Sequence, residues 1–412
     1  MAKIQKIKGV ADLFPEDSAR YAFMEKTARD VFTSYGFGEL RTPILEKTEL
    51  FCRSIGEETD VVQKEMYTFP DRKNRSLTMR PEATAGVVRA YVENKIYQPG
   101  KVSKFFTFGP MFRYERPQAG RMRQFHQINA EVFGASEPQA DAEVLLMLSG
   151  FLKGIGLEKL SFELNSLGCP ECRPKYNQAL KDFFNSLDKS ELCDDCQRRV
   201  DTNPLRVLDC KVKRCKELTK DAPSIPDHLC TECREHFDVV ISLIDEAGLE
   251  YTLNPRLVRG LDYYQRTTFE VTSGDIGAQT AVAGGGRYDG LVESLGGPKK
   301  VPGIGFACGM ERLAMLLEGE YEAATDFYVA LVDERAAKDA LIFGEKLRRS
   351  GLKGEVGFTA KSMKAQLRHA NKINAAKCFI FGADEFENGT VTIKDMTEGG
   401  EQETVSRDEY FK

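Results

Sequence analysis

Eight of the chain's eleven cysteines fall between Cys169 and Cys233. They stand as Cys169-Pro170-Glu171-Cys172, Cys193-Asp194-Asp195-Cys196, Cys210 with Cys215, and Cys230-Thr231-Glu232-Cys233. Three of these four pairs have the C-x₂-C spacing that lets two thiolates reach one tetrahedral ion. A secreted disulfide scaffold would be short and would follow a signal segment. This chain has 412 residues, and no apolar run follows the basic residues of its first segment, Met1 to Lys6. The cluster therefore reads as metal-binding, in a reducing compartment. Two four-cysteine Zn²⁺ sites, one site with leftover thiols, a set of buried thiols, or an iron–sulfur cluster all fit the spacing, and His228 and His236 lie near enough in sequence to substitute. Four thiolates leave no open position for a reactive water, so such a site would be structural. A segment this short has little room for a core and would gain from the staple.

Length and charge bound the rest. A chain of 412 residues suggests two to four domains. No stretch approaches the 18 apolar residues of a membrane-spanning helix, so a cytoplasmic location without membrane contact is expected. Lys and Arg total 58 against 63 Asp and Glu, a net charge of −5, which excludes a uniformly basic nucleic-acid coat but not a local basic patch. No internal repeat or low-complexity tract is evident.

Periodicity then places the elements. Tyr21, Met24, Ala28, Val31, Phe32 and Tyr35 make one apolar stripe, which predicts a helix over residues 16–35 ending at Gly36. Phe37–Ile44 reads as a strand, and Pro43 puts it at an edge or an interface. Along Phe105–Glu115, residues Phe106, Phe108, Pro110, Phe112 and Tyr114 share one face, and Thr107, Gly109, Met111, Arg113 and Glu115 share the other. Gln124–Phe133 repeats the design, with Gln127, Asn129 and Glu131 on its polar face. A solvated face usually carries Lys, Thr and Ser. Arg, Glu, Gln and Asn beside small residues suit a polar ligand lying on a sheet.

Four segments carry the chemistry: Thr78-Met79-Arg80-Pro81-Glu82-Ala83-Thr84-Ala85-Gly86; Phe112–Arg116 with Arg121 and Arg123–Gln127; Leu257–Tyr264; and Gly303–Leu313. Singly they are ordinary. Neither the last segment nor Ala283–Tyr288 completes a dinucleotide fingerprint or a phosphate-binding loop. Together they resemble the histidyl-tRNA synthetases, a family of class II aminoacyl-tRNA synthetases, over essentially the full length. Phe112–Arg116 resembles class motif 2, Gly305–Arg312 motif 3, and the first helix with the Pro43 strand motif 1, the dimer-forming element. Leu257–Tyr264 with Ala283–Tyr288 resembles the signature of the histidine enzymes.

The resemblance implies an α/β (α+β) chain: a class II catalytic domain with an antiparallel sheet flanked by helices (residues 1–168 and 237–324), a cysteine-rich insertion (169–236), and a βαβ-type anticodon-binding domain (325–412). It implies a homodimer that uses ATP with Mg²⁺ to join L-histidine to tRNA(His) through a histidyl-adenylate. Arg113 would hold the α-phosphate, and Arg259 would bridge the substrate carboxylate and that phosphate. Arg121 would hold the far phosphates, Arg312 would stack on adenine, and Glu115 would accept a bond near the adenine amino group. Glu82 and Thr84, with Gln127, would bind the histidine ammonium. Glu131 and Tyr264 would bind the imidazole nitrogens, with Tyr263 and Tyr288 lining the pocket. Arg116 and Gln118 would approach the tRNA acceptor end, whose 3′-hydroxyl is the acceptor in class II.

The C-terminal residues read as alternating strands and helices. Nine Lys or Arg and one acid, Glu355, lie between Lys346 and Lys377, a basic block suited to tRNA. Two rival readings are a non-catalytic, synthetase-like regulatory subunit of histidine biosynthesis and a zinc-stabilised RNA-binding adaptor. The first tends to lose the signature and the last domain. The second leaves the aligned Arg113, Arg259 and Glu82 unexplained.

Overall fold

A computed structural model of the chain describes residues 3–57, 59–276, 280–319, 321, 325–397 and 400–411. Contacts divide it into two units, Met1–Glu320 and Tyr321–Lys412.

The first unit is built on an eight-stranded sheet. Its spatial order is Gly38–Glu39, Ser103–Phe112, Gln124–Phe133, Gly303–Gly309, Ala281–Arg287, Gln265–Thr272, Ser161–Ser166 and Thr252–Leu253. The six inner strands pair antiparallel, and the two-residue edge strands pair parallel. One face is closed by apolar packing. The predicted first helix spans Pro15–Ser34, with Pro15 pre-setting its first turn and Glu16 and Asp17 complementing its N-terminal dipole. It buries Tyr21, Met24, Ala28 and Phe32. The Phe32 ring meets Phe106 and Phe306 of the sheet edge-on, and Phe151 of the helix Pro138–Gly154, each at 5.7 Å.

Residues 37–44 do not form the single edge strand expected. Gly38 and Glu39 pair with Phe105 and Phe106, and the pairing stops before Pro43, which has no N–H to give. Leu45–Lys47 then joins a separate three-stranded sheet with Ser76–Met79 and Tyr67–Pro70.

The cysteine-rich segment folds as short helices, Cys172–Asn185, Asp194–Thr202 and Lys213–Leu218, and re-enters through Thr231–Glu246. Its apolar side chains are not a separate core. Tyr176, Leu180 and Phe184 pack in one cluster with Val87, Tyr91 and Phe133 of the sheet unit.

The second unit is a five-stranded sheet ordered Gly354–Val356, Thr325–Leu331, Ala375–Phe381, Thr390–Asp395, Gln402–Ser406. Its first three strands are parallel and joined by the helices Ala337–Arg349 and Met363–Lys372, as the alternation predicts. The helix Ala383–Asn388 and the last strand were not anticipated. Phe327, Phe343, Phe379 and Phe381 fill its core.

Candidate functional site

The polar face of the large sheet is a floor whose residues are fixed by register. Gln127, Asn129 and Glu131 stand opposite Gly309, Ala307 and Gly305 of the next strand. Gly305 and Ala307 in turn stand opposite Gly286 and Gly284. Side chains would normally stand up from these small positions, so the floor is low where its neighbours need room. A Cβ on Gly284 would overlap the Arg259 guanidinium, and one on Gly305 would overlap the Glu131 carboxylate.

Above this floor lies a cavity of about 280 Å³ lined by Arg113, Arg121, Arg259, Arg312, Glu115, Gln127, Glu270 and Glu311. Each cation is aimed by a neighbour. Arg113 donates from Nε to the Pro81 carbonyl at 2.9 Å and lies over the Phe125 ring. Arg121 pairs with Glu115, and Arg259 with Glu270. Arg312 donates to the carbonyls of Gly120 and Ala281 at 2.9 and 2.6 Å. Burial, then the nearby Arg121 and Arg113, lowers the Arg312 pKa. A cavity that makes guanidinium groups repel one another is arranged for an anion. The Arg259 Nε and the Gln127 Oε1 are buried without a hydrogen-bond partner, which leaves them available to a ligand.

Beside the cavity a second group closes on itself. Glu82 caps the helix Thr84–Glu93, accepting from the N–H groups of Thr84 and Ala85 at 2.7 and 2.9 Å. The hydroxyls of Thr84 and Tyr288 donate to the two oxygens of Glu131, the first at 2.6 Å. Tyr263 packs against Tyr264 and Tyr288, with ring centroids 4.6 and 5.7 Å apart. Glu131 is 1% exposed, and burial pushes its pKa up to about 8 despite the two hydroxyls. Glu82 is raised for the same reason. Arg116 and Gln118 lie apart from both groups, exposed on the hairpin between Phe112 and Gln124.

Several site residues escaped the sequence reading. Glu270 pairs Arg259, and Glu311 accepts from the His126 N–H at 2.9 Å. Glu270 had a signal: it alternates with Phe269 and Val271 on a strand whose other face is core. In the second unit Phe358 is 89% exposed, beside a cavity lined also by Lys361, Arg368 and Lys372. An exposed ring among cations has the chemistry to stack on a base.

The cysteines form two quartets, Cys169/Cys172/Cys230/Cys233 and Cys193/Cys196/Cys210/Cys215, each with its sulfurs within 4.8 Å of one another. Cys169 lies 3.7 Å from Cys172 and 4.0 Å from Cys230, and Cys193 lies 3.8 Å from Cys210. A tetrahedral ion with metal–sulfur bonds of about 2.3 Å separates its sulfurs by about 3.8 Å. A cluster with one thiolate per iron would hold them farther apart. The histidines do not substitute. His236 pairs with Asp141 at 2.9 Å, and His228 packs on Tyr176.

Comparison with known proteins agrees with this geometry. The family model described as histidyl-tRNA synthetase matches residues 9–313, and an anticodon binding domain model matches 326–412. A histidine--tRNA ligase of Maridesulfovibrio salexigens is 91% identical over the whole of both chains. The crystal structure of the apo Staphylococcus aureus histidyl-tRNA synthetase has a TM-score of 0.82 at 37% identity, covering all of both chains. A Bacillus halodurans protein described as an ATP phosphoribosyltransferase regulatory subunit/histidyl-tRNA synthetase has a TM-score of 0.68 at 18% identity, over 93% of this chain and all of that one, and shares the fold alone. Fold likeness by itself therefore reaches proteins of both descriptions, and it is the sequence match, running through sheet, insertion and C-terminal unit alike, that decides between them: the chain belongs to the histidyl-tRNA synthetase family.

Proposed function

We infer that the protein is an ATP-dependent histidine–tRNA ligase. It joins L-histidine to tRNA(His) through a histidyl-adenylate, releasing pyrophosphate and then AMP. The observation that carries this reading is the position of Arg259, laid on Gly284 between an arginine-lined cavity and an acid–tyrosine cluster.

The chemistry needs charge control more than proton transfer. The histidine carboxylate attacks the α-phosphorus, a bond forms from its oxygen, and the bond to the β-phosphate oxygen breaks. Both reactants are anions, so cations aimed at the crowded centre lower the barrier. Arg113 and Arg259 hold the α-phosphate, and Arg259 also holds the attacking carboxylate with the fork its guanidinium provides. Arg121 takes the far phosphates, Arg312 stacks on adenine, and Glu115 accepts near the adenine amino group. Glu270 and Glu311 of the cavity wall would hold the Mg²⁺ that accompanies ATP, and the ion would help neutralise the phosphates. Glu82, Thr84 and Gln127 receive the ammonium; Glu131 and Tyr264 receive the imidazole, with Tyr263 and Tyr288 beside them. A site that satisfies both ring nitrogens rejects near-isosteres by leaving buried groups unpaired. The 3′-hydroxyl of the tRNA end then attacks the acyl carbon and AMP leaves, with Arg116 and Gln118 near that end.

Three further features belong to the same reading. The enzyme is a homodimer, supported by the exposed apolar residues Ile44, Leu45 and Phe69 around the three-stranded sheet. It acts in the cytoplasm; among the described residues no helix is long and apolar enough to cross a membrane. The cysteine quartets hold structural Zn²⁺.

ATP–pyrophosphate exchange measured with each of the twenty amino acids tests the core of the reading. Histidine alone is expected to support rapid exchange; exchange with another amino acid and not with histidine would overturn it. The paired change Lys364→Glu/Arg368→Glu should leave exchange intact and weaken tRNA charging, with a shallower salt dependence of tRNA binding.

A further inference from the structure

We propose that the two cysteine quartets bind two separate Zn²⁺ ions, and that the metal-held insertion is the brace that fixes the loop Asn254–Tyr264, and with it Arg259 and Tyr264, in working position. This rests on the assignment of those two residues to substrate made above.

The quartets are paired by place rather than by sequence order. The first and last cysteine pairs make one site at the root of the insertion, and the two middle pairs make another inside it. Backbone N–H groups already point at the sulfurs, Cys230 N–H to Cys172 at 3.1 Å and Cys193 N–H to Cys215 at 3.3 Å. Cys193 and Cys230 each precede the first turn of a helix, and Cys172 begins one. Sulfur separations of 3.7–4.0 Å suit one tetrahedral ion per site.

What the sites hold is the loop. From the root site, Arg173, next to Cys172, donates to the carbonyls of Leu167 and Tyr264. The strand that follows Tyr264 is tied there too: Arg266 N–H reaches Gly168 at 2.8 Å, and the Arg266 side chain pairs with Glu232, between Cys230 and Cys233. From the inner site, Arg206 donates to the Arg259 carbonyl at 2.7 Å, and Asn203 to Asp262 at 3.2 Å. Arg256 donates to Thr219 Oγ1, four residues past Cys215, at 2.9 Å. The sheet unit adds Asn165 on the Leu257 carbonyl and the Ile55 carbonyl on Asp262 N–H. The loop has no regular secondary structure of its own over 257–259, so these outside bonds set its shape. Each insertion residue that makes them lies within seven residues of a cysteine ligand, and without metal a segment this small loses the fold that aims them.

The test uses full-length protein purified from metal-replete cells. Elemental analysis is expected to give two zinc ions per chain; one ion, none, or iron with visible absorption overturns the assignment of the sites. Cys196→Ser should lose one ion and raise amide hydrogen exchange in residues 254–264, while the five-stranded sheet of residues 325–406 keeps its protection. Arg206→Ala separates bracing from metal content: it should keep both ions, loosen the same peptide, and raise KM for histidine about three- to tenfold with little change in KM for ATP. If the cysteine variant does not fold, titrating wild-type protein with p-hydroxymercuribenzoate releases zinc while exchange is followed. Zinc release that leaves residues 254–264 as protected as before, or an Arg206→Ala protein indistinguishable from wild type, overturns the coupling. Failure of the ligase reading would show separately, as wild-type protein with no histidine-dependent pyrophosphate exchange; metal content and hydrogen exchange would still report on the brace.

Discussion

The arginine-lined cavity and the acid–tyrosine cluster beside it are built in opposite ways. The cavity, assigned above to the phosphates, is open and cationic, its arginines held mostly by backbone carbonyls and by Glu115 and Glu270. The side assigned to histidine is closed, with Glu82, Thr84, Glu131 and Tyr288 bonded among themselves or to a helix end. The difference follows from proton chemistry. A guanidinium stays charged at any working pH, even where burial and its neighbours lower the value, as at Arg312. A carboxyl sealed at 1% exposure resists ionisation, and burial pushes the Glu131 pKa up to about 8. One side carries permanent charge; the other carries charge that the substrate must help to form.

Breaking the permanent side should cost most. Arg259→Ala removes the cation assigned above to both reactants, and pyrophosphate exchange should fall on the order of 10²–10³-fold with the fold retained, as read by thermal melting. Near-normal exchange would remove Arg259 from its role. Gly284→Ala is a finer cut at the same group. It deletes nothing, but its methyl overlaps the Arg259 guanidinium. Exchange should fall roughly tenfold, from displacement alone. An unaffected rate would mean that the floor does not set the position of Arg259.

The conditional side should show in pH dependence, with the smallest amplitude. Glu131 has a folded pKa of about 8, above its unfolded value near 4.5. The unfolded chain therefore releases this proton first as pH rises, and the ligand-free protein loses stability between those values. Glu131→Gln carries no such proton. Its Tm relative to wild type should rise from pH 5 to pH 8 by a few degrees. A difference that stays flat over that range would show that Glu131 is ionised throughout. The buried Asp141 has the opposite sign. His236 and Arg287 hold its pKa down, so its contribution is present above the ordinary aspartate range and is lost on acidification.

How far the sequence could be read follows the same divide. Period-two alternation identified the polar face with Arg113, Gln127 and Glu131, because strand geometry fixes which residues share a side. Helical spacing located Pro15–Ser34 to within a residue at each end. What alternation does not contain is the partner across the sheet. Nothing in Ala281–Arg287 says that Gly284 is kept bare for a guanidinium 25 residues earlier, or that Thr84 and Tyr288 meet on Glu131. Spacing also left the metal pairing open, because the first and fourth cysteine pairs meet only once the chain has folded back. For residues 37–44 the edge position was legible but the length was not, since the pairing stops after Gly38 and Glu39.

The order of the strands has a consequence in time. Gln124–Phe133 is joined on one side by Ser103–Phe112, close in sequence, but on the other by Gly303–Gly309. A ribosome adding about 5–20 residues per second needs roughly ten to thirty seconds to deliver that second neighbour. For that interval the strand bearing Gln127, Asn129 and Glu131 has one unpaired edge, on a nascent chain, with the cysteine-rich segment emerging beside it. Completion of the sheet therefore waits on every residue between the two strands, the insertion 169–236 among them. A synonymous change that delayed residues 169–236 would act on yield and aggregation without altering any residue of the finished enzyme.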